Sequence, residues 1–196
     1  MPGGILISVF RAFLDTNVLY PFFSRDLLLR LAEVDLFVPL WSNTVLDELR
    51  ENLAIADIER LFQQMHRAFP HANVQNYLQY VDEIELPDKR DRHVVAAAFV
   101  GNANYVVTEN LRDFPDDTLA YYELEAISLD DFLLELVQRD LRATGWHCPK
   151  GVCDGLRHLR TSLSRPPMAH DDLIEKWVAR GLHRFVQAIK GCVSCW

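Results

Sequence analysis

The sequence predicts an α/β fold, in which helices cover both faces of a central parallel sheet, followed by a small helical C-terminal module. Short apolar runs alternate with helical patterns through the first 137 residues, as expected for parallel strands joined by helical crossovers. The alternation then stops, and the charge balance changes at the same point. Residues 1–137 carry 23 acidic and 10 basic side chains, whereas residues 138–196 carry 5 acidic and 10 basic ones.

Four short apolar segments are predicted to form the strands. They are Phe10–Leu14, Asp35–Pro39, Tyr105–Thr108 and Ala126–Ser128. The third of these, with the sequence YVVT, is expected to be a buried strand of the sheet.

Apolar residues at helical spacing predict the crossovers between these strands. The predicted helices lie around 27–31 and over 43–53, 56–68, 91–100 and 129–137. Ser24 is the predicted cap of the first helix, and the second is capped within 42–44. The helix over 91–100 is apolar nearly all round, so we expect it to be buried against the sheet.

The last quarter of the chain is predicted to be a separate unit. Two helices, over 154–163 and 171–189, flank the sequence Arg165-Pro166-Pro167. The composition changes at the same place, and we therefore divide the chain into a domain over 1–140 and a basic helical module over 141–196.

All four cysteines lie in this C-terminal module. They are Cys148, Cys153, Cys192 and Cys195. A secreted disulfide scaffold would not leave the first 147 residues without a cysteine. The spacings C-x4-C and C-x2-C, with His147 and His158 nearby, permit a zinc site, although structural zinc sites usually have tighter spacing. Reduced cysteines are also common in cytosolic proteins, so the sequence leaves zinc binding open.

The composition is that of a folded protein. The chain has 196 residues, of which 49% are hydrophobic and 24% charged, so it can bury a core. Its first apolar run, 5–14, is interrupted by Arg11 and has neither the flanks of a signal peptide nor the length of a membrane span. We therefore expect a soluble, cytoplasmic protein that does not enter a membrane.

Acidic side chains follow the ends of the predicted strands. Asp15 comes directly after the first strand, and Asp113 lies five residues beyond the end of the third. Glu48 lies one turn into the helix after the second strand, and Asp91 begins the helix that leads into the third. Because functional groups of an open parallel sheet gather beyond the carboxyl ends of its strands, we expect these four side chains to share one crevice.

Four carboxylates in one crevice repel one another and raise each other's pKa values unless a cation is present. Carboxylate oxygens and water are the ligands that Mg²⁺ and Mn²⁺ prefer. Such an ion lowers the pKa of a bound water and stabilises charge on a phosphoryl oxygen, as phosphodiester hydrolysis requires. Phosphate-binding glycine motifs and a G-x-S-x-G nucleophile motif do not occur in the sequence.

Each acid also has a structural explanation. Asp15 and Asp91 are suitable helix caps, Glu48 suits a solvated helix face, and Asp113 suits a turn. We expect His93 to be a surface or packed residue, because adjacent residues of a helix point in different directions. The functional interpretation depends on the joint placement of the acids in three separate strand and helix units.

Four segments together carry a set of motifs that also occurs in a known protein family. They are LDTNVL at 14–19, VLDEL at 45–49, PDKRDRHVVAAA at 87–98 and YVVTENLRDFP at 105–115. In order, spacing and flanking apolar residues, they resemble the PIN-domain ribonucleases, and within these the VapC-type toxins of toxin-antitoxin systems. The resemblance covers roughly residues 8–137 and implies a PIN-like three-layer α/β/α sandwich.

The resemblance also implies the site residues. Asp15, Glu48 and Asp91 correspond to the first three acids of the family's metal site. The fourth acid usually follows the threonine of the last strand, where this sequence has Asn110, and the next acid is Asp113. The implied metal ligands are therefore these three acids with Asn110 and Asp113, and the four acids are the implied catalytic residues.

The function implied by the resemblance is that of a Mg²⁺- or Mn²⁺-dependent endoribonuclease, the toxin of a type II toxin-antitoxin system. Its substrate would be a cellular RNA, its partner a small cognate antitoxin protein, and its assembly a homodimer. Arg90, Arg92 and Arg112 flank the acids and are predicted to contact RNA. A non-catalytic PIN-like module that binds RNA or protein is the alternative, consistent with Asn110, and a DNA nuclease is a third.

The strong negative charge of residues 1–137 is a difficulty for RNA binding, which draws largely on positive charge. We therefore consider that basic residues of the C-terminal module supply part of the affinity. They are Arg157, Arg160, Arg165, Arg180 and Arg184. The competing hypothesis is that these arginines bind an acidic antitoxin or stabilise the fold.

Overall fold

The computed structural model describes residues 10–53, 58–145, 148–163 and 169–192. At its centre lies a five-stranded sheet with the strand order β3-β2-β1-β4-β5. The strands are β1 (Arg11–Leu14), β2 (Val38–Ser42), β3 (Asn73–Val74), β4 (Tyr105–Val107) and β5 (Glu125–Ile127). Every neighbouring pair is parallel, which confirms the predicted fold class.

Helices connect and cover the strands. They are α1 (Thr16–Leu19), α2 (Phe22–Glu33), α3 (Asn43–Asn52), α4 (Ile58–Ala68), α5 (Arg92–Val100), α6 (Asp116–Tyr121), α7 (Leu129–Thr144), α8 (Lys150–Ser162), α9 (His170–Val178) and α10 (His183–Lys190). Short 3-10 helices span Leu78–Glu83, Lys89–Asp91 and Leu111–Asp113. Helices α7–α10 follow the last strand, in agreement with the helical C terminus predicted from the sequence. In the part of the chain described above, no helix is both long enough and apolar enough to span a bilayer.

Two local predictions in the first half are wrong. The second strand begins three residues later than predicted, because Asp35 has a left-handed backbone conformation, with φ of 60°, that a strand cannot accommodate. Ser24 does not cap α2. The helix already begins after Pro21, whose fixed φ suits a helix start, and Ser24 lies buried inside it.

The single helix predicted over 171–189 is also wrong, because the structure has two helices there. Gly181 lies between α9 and α10 with φ of 86°, a conformation that glycine adopts without the steric cost of a side chain. Helix α7 continues to Thr144, seven residues beyond its predicted end. The first two residues of the helix predicted over 56–68 lie outside the described residues.

The hydrophobic core occupies both faces of the sheet. Its fully buried side chains include Phe13, Leu40, Trp41, Val106 and Val107 from the central strands. Helix α5 is buried along most of its length, since Val94, Val95, Ala96, Ala97 and Ala98 are at most 1% exposed. This burial agrees with the expectation from its apolar sequence and fixes the start of α5 close to the carboxyl ends of the strands.

The C-terminal helices pack against the helices of the sheet domain. Helix α8 contacts α2 and α7, and α10 contacts α7. Two buried or partly buried carboxylates join these elements: Asp140 accepts a hydrogen bond from the Val152 backbone N–H at 2.9 Å, and Asp130 accepts one from Phe185 N–H at 2.9 Å. The proposed boundary after residue 140 falls within α7, and the division into two domains stays a prediction.

The contact between α8 and α2 predicts an effect on stability. A Cβ atom on Gly155 would lie 2.8 Å from Leu31 Cδ2 and 3.3 Å from the Arg30 carbonyl oxygen, closer than side chains normally pack. We expect Gly155→Val to lower the free energy of unfolding by about 1–3 kcal/mol, measured by urea denaturation. Gly191→Val is the control, since nothing lies within 4 Å of its added Cβ. Equal stabilities of the two variants would contradict this packing.

Candidate metal centre and active site

The sheet topology is one that is expected to leave a crevice beyond the carboxyl ends of β1 and β4. These strands are parallel neighbours, and Leu14, the last residue of β1, pairs with Val107, the last residue of β4. The next strand along the chain, β2, lies on one side of β1, and β4 lies on its other side. This is a topological switch point, where open α/β sheets bind their ligands. Asp15 and Thr108 are the next residues along the two strands, so their side chains meet there.

Asp15 is held by hydrogen bonds to both of its oxygens. Oδ1 accepts from the Thr16 backbone N–H at 2.7 Å, and Oδ2 accepts from Asn17 Nδ2 at 2.6 Å and from Thr108 Oγ1 at 2.7 Å. Asp15 is 8% exposed, and burial raises the pKa of its carboxyl despite the hydrogen bonds from Thr108 and Thr16. It therefore caps α1, as the structural explanation requires, and also contributes a fixed carboxylate to the crevice.

Glu48 reaches the same crevice from α3. The helix begins directly after β2, where Ser42 Oγ accepts a hydrogen bond from the Val45 backbone N–H at 3.3 Å. Thr16 Oγ1 donates to Glu48 Oε2, and His93 Nε2 lies 3.0 Å from Glu48 Oε1. Burial alone would raise the pKa of Glu48, but the hydrogen bonds from His93 and Thr16 outweigh it and lower the pKa. Glu48 is thus half-buried and bonded on both oxygens, unlike a residue on a solvated helix face.

His93 is a site residue that sequence reasoning missed. It lies on α5, is 8% exposed, and bonds Glu48 across 45 residues of sequence. Because a carboxylate only accepts, His93 Nε2 carries the proton that is donated to Glu48, while the buried Nδ1 has no hydrogen-bond partner among the described residues. A usable signal was present, because a histidine in an otherwise apolar, buried helix needs a polar partner.

Asp91 lies at the start of α5 and faces the other acids. Although it occupies the N-cap position, its carboxylate makes no capping hydrogen bond. Burial, together with the charges of Asp15, Asp88 and Asp113, raises the pKa of Asp91 to about 6. The carboxylate of Asp91 therefore lies among the negative charges of three other acids. Helix capping does not explain this position.

Asn110 and Asp113 form a pair beyond the end of β4. Asn110 Nδ2 donates a hydrogen bond to Asp113 Oδ2, and the Asn110 backbone N–H donates to Thr108 Oγ1 at 3.1 Å. Asp113 is close enough for its charge to raise the pKa of Asp91. The structure therefore places Asp113 beside the crevice, with the amide of Asn110 holding its carboxylate.

The three arginines predicted to contact RNA have different surroundings. Arg90 is exposed and pairs with Asp88, with 2.7 Å between Nη2 and Oδ2, and its charge helps to lower the pKa of Glu48. Arg112 is exposed in the 3-10 turn that ends at Asp113. Arg92 is partly buried at the start of α5, and its Nε has no hydrogen-bond partner among the described residues. Their contact with RNA stays a prediction.

Two of the five arginines that were considered for RNA binding in the C-terminal module form ion pairs within the chain. Arg184 binds Asp131 at the start of α7, and Arg157 Nη2 lies 2.9 Å from Asp154 Oδ1. Arg160 and Arg180 are exposed, and Arg165 lies outside the described residues. The pair between Arg184 and Asp131 connects α10 to α7, so this arginine has at least one structural role.

The donor chemistry of the crevice fits a hard divalent cation. Asp15, Glu48, Asp91 and Asp113 offer oxygen ligands, and the nearby imidazole of His93 is bonded to Glu48. In the described ranges, no three of these carboxylates bring their oxygens within 4.8 Å of one another. Mg²⁺ is commonly bound by one or two carboxylates and keeps several waters, so two of these acids would be enough to hold it. Burial is the main cause of the raised pKa values of Asp15 and Asp91, and repulsion from neighbouring carboxylates, which a cation would relieve, adds to it.

The bond between His93 and Glu48 predicts an effect on any activity of the crevice. We expect His93→Ala to lower the rate by about 10- to 100-fold, as is usual for residues that orient a metal-site carboxylate. His93 lowers the pKa values of both Glu48 and Asp91, so its loss should raise them and move the acid limb of the pH–rate profile to higher pH. His158→Ala, at an exposed position of α8, is the control. An unchanged profile in His93→Ala would show that the bond has no functional role.

The sequence of the chain is similar to those of known proteins. Residues 11–112, just over half of the chain, match the family model described as PIN domain. A protein of Mycobacterium tuberculosis (strain ATCC 25618 / H37Rv) named "Putative ribonuclease VapC50" is 52% identical over 46 residues. That stretch covers 24% of this chain and 27% of the relative, so the chain spans about a quarter of the relative's length. No solved structure matches the chain significantly.

Proposed function

The chain belongs to the PIN-domain family, and on this premise we propose that it is a Mg²⁺- or Mn²⁺-dependent endoribonuclease acting in the crevice of Asp15, Glu48, Asp91 and Asp113. The observation that carries the proposal is the state of Asp91. Its pKa of about 6 results from burial and from three neighbouring carboxylates, and its side chain caps no helix. Charge concentrated in this way without a structural purpose is typical of a functional site.

The residues have distinct roles in this proposal. Asp15 and Asp91 would hold the divalent ion, with Asn110 and Asp113 completing its surroundings. When bound, such an ion supplies Lewis-acid stabilisation of phosphoryl charge and a water of lowered pKa. Glu48, whose pKa is lowered by the hydrogen bonds from His93 and Thr16, stays ionised and would orient the attacking water as an acceptor. Arg90 and Arg112, exposed beside the acids, would contact the RNA backbone.

The biological role that we propose is that of the toxin of a type II toxin-antitoxin system, acting on cellular RNA in the cytoplasm. Support comes from the motifs shared with VapC-type toxins and from the name of the M. tuberculosis relative. A small antitoxin would occupy the acidic crevice, where an arginine side chain has carboxylate partners. A homodimer is the proposed assembly of the toxin.

An RNA-cleavage assay on the purified full chain tests the enzymatic proposal. We expect fragments from total tRNA with Mg²⁺ or Mn²⁺, and none after EDTA. Parallel incubation with single- and double-stranded DNA separates a ribonuclease from a DNA nuclease. The second candidate, a non-catalytic PIN-like module that binds RNA or protein, is favoured by Asn110, which stands at the position of the family's fourth acid. Binding of RNA without cleavage under all metal conditions would support that candidate and contradict ours.

A further inference from the structure

An aromatic groove lies at the other end of α5 from the acidic crevice. It has a volume of about 700 Å³ and lies between the end of α5, the end of α6 and the 3-10 helix over 78–83. Phe99, in this groove, is eight residues beyond Asp91, which corresponds to about 12 Å of helix. Four aromatic residues and two glutamates line the groove: Tyr80, Phe99, Tyr121, Tyr122, Glu83 and Glu85.

The four aromatic rings form a continuous series of edge-to-face contacts. The ring centroid of Phe99 lies 5.8 Å from that of Tyr80 and 5.6 Å from that of Tyr122. The ring of Tyr121 continues the series, 5.1 Å from that of Tyr122. Contacts of this kind stabilise the positions of the rings. The rings are nevertheless not part of the core, because Tyr121 is 83% exposed and Phe99 is 42% exposed. A group of exposed aromatic side chains is typical of a surface that binds a partner.

The charge beside the rings is negative. Residues 77–86 and 114–125, which carry three of the four rings, include seven acidic side chains and no lysine or arginine. Burial raises the pKa of the Tyr122 hydroxyl, and the charges of Tyr121, Glu83 and Glu85 raise it further. The two carboxylates therefore lie near the rings, and both glutamates are exposed to solvent.

A cation with an apolar stem complements both features of the groove. An arginine side chain packs its planar guanidinium on aromatic rings, buries its methylene groups and pairs with carboxylates. RNA is less suitable, because its bases would stack on the rings while its phosphates would meet the two glutamates. A second copy of this chain, bound about a two-fold axis through the groove, would bring two acidic surfaces together.

We propose that this groove binds an arginine-bearing segment of a partner protein. The guanidinium packs against the rings of Phe99, Tyr121 and Tyr122 and pairs with Glu83 and Glu85. A volume of about 700 Å³ accommodates the side chains of a short segment. Binding here requires neither metal nor nuclease activity, so its test is independent of the proposed active site.

Nuclear magnetic resonance titration of the ¹⁵N-labelled full chain locates the binding surface. The probe is an arginine nonapeptide in metal-free buffer, and a glycine-serine nonapeptide is the control. We expect the amide signals of residues 78–85, 98–101 and 117–122 to shift with the arginine peptide, to saturate, and to stay unchanged with the control. Shifts confined to residues of the acidic crevice, or no shifts, would overturn the proposal.

Variants of the groove test the contributions of ring and charge, with affinity measured by fluorescence anisotropy of the labelled arginine peptide. Tyr121→Ala should weaken binding by about 2- to 30-fold, whereas Tyr121→Phe, which keeps the ring, should retain it. Glu85→Gln should weaken binding by about two- to fivefold. Glu175→Gln, the same change at an exposed position of α9, should have no effect. Because the Tyr121 side chain is mostly in solvent, its replacement should leave the fold intact. Equal affinities of Tyr121→Ala and the wild type would contradict the site.

The two other occupants give different results in the same experiments. A single-stranded oligoadenylate that shifts the groove amides, while the arginine peptide does not, would assign the groove to RNA. A wild-type chain that is dimeric by light scattering but monomeric as Tyr121→Ala, without peptide shifts, would assign the groove to a second copy. Either result would overturn the proposal.

Discussion

Replacement of Asp15 by asparagine is expected to reduce RNA cleavage by about 10³-fold, because loss of a metal-site carboxylate removes several kcal/mol of transition-state stabilisation. The variant should still fold. Its Oδ1 can accept from the Thr16 backbone N–H as the carboxylate does. Its Nδ2 cannot accept the hydrogen bonds from Asn17 and Thr108, but replacing a buried carboxyl of raised pKa by an amide relieves its desolvation and offsets part of this loss. The measurement is the initial rate of tRNA cleavage in saturating Mg²⁺, with circular dichroism to verify folding.

Asp82→Asn is the matched control for this variant. Asp82 is exposed in the 3-10 helix over 78–83, so the same chemical change occurs outside the crevice. We expect its cleavage rate to equal that of the wild type. If Asp15→Asn folds and cuts RNA at the rate of the control, Asp15 is not part of the active site.

The affinity for Mn²⁺ is expected to fall by up to about tenfold for each pH unit below 6, because a proton on Asp91 competes with the metal. The pKa of this carboxyl is raised to about 6, so the group is ionised above that value and protonated below it. Asp15, whose pKa is also raised, adds to the loss at lower pH. Calorimetric titration of the protein with Mn²⁺ at pH values between 5 and 8 measures the effect.

Asp91→Asn should bind Mn²⁺ weakly and lose the part of the pH dependence centred on 6, whereas Asp82→Asn should keep the wild-type profile. The amide also removes a carboxylate that Asp15, Asp88 and Asp113 repel, so without metal this variant should melt at a higher temperature than the wild type at pH 7.5. Affinity for Mn²⁺ that is unchanged between pH 5 and 8 would contradict the placement of Asp91 in the metal centre.

The parallel sheet and the meeting of the acids were predictable because both follow from chain order. Asp15 directly follows a strand, and parallel strands bring their carboxyl ends to one edge. The burial of α5 was likewise predictable from its apolar residues. The motifs at 14–19, 45–49, 87–98 and 105–115 suggested the same family that the comparison identifies.

The parts that could not be predicted depend on contacts between distant residues or on single backbone angles. His93 bonds Glu48 from another helix, and no local pattern shows that pairing. The left-handed conformations of Asp35 and Gly181, which displace β2 and divide the last predicted helix, depend on local geometry that apolar spacing does not encode. The convergence of Cys153 with Cys148 and Cys192 depends on how the end of α10 packs beside α8. The spacing of the cysteines does not encode this packing and had only left zinc binding open.

The most direct test of the proposed metal centre is a crystal of the wild-type protein soaked in Mn²⁺ above pH 7, with data collected for anomalous scattering. Our account predicts an anomalous peak in the crevice, in contact with the carboxylates of Asp15 and Asp91. A crevice without anomalous density at saturating Mn²⁺, with both carboxylates ordered, would contradict it.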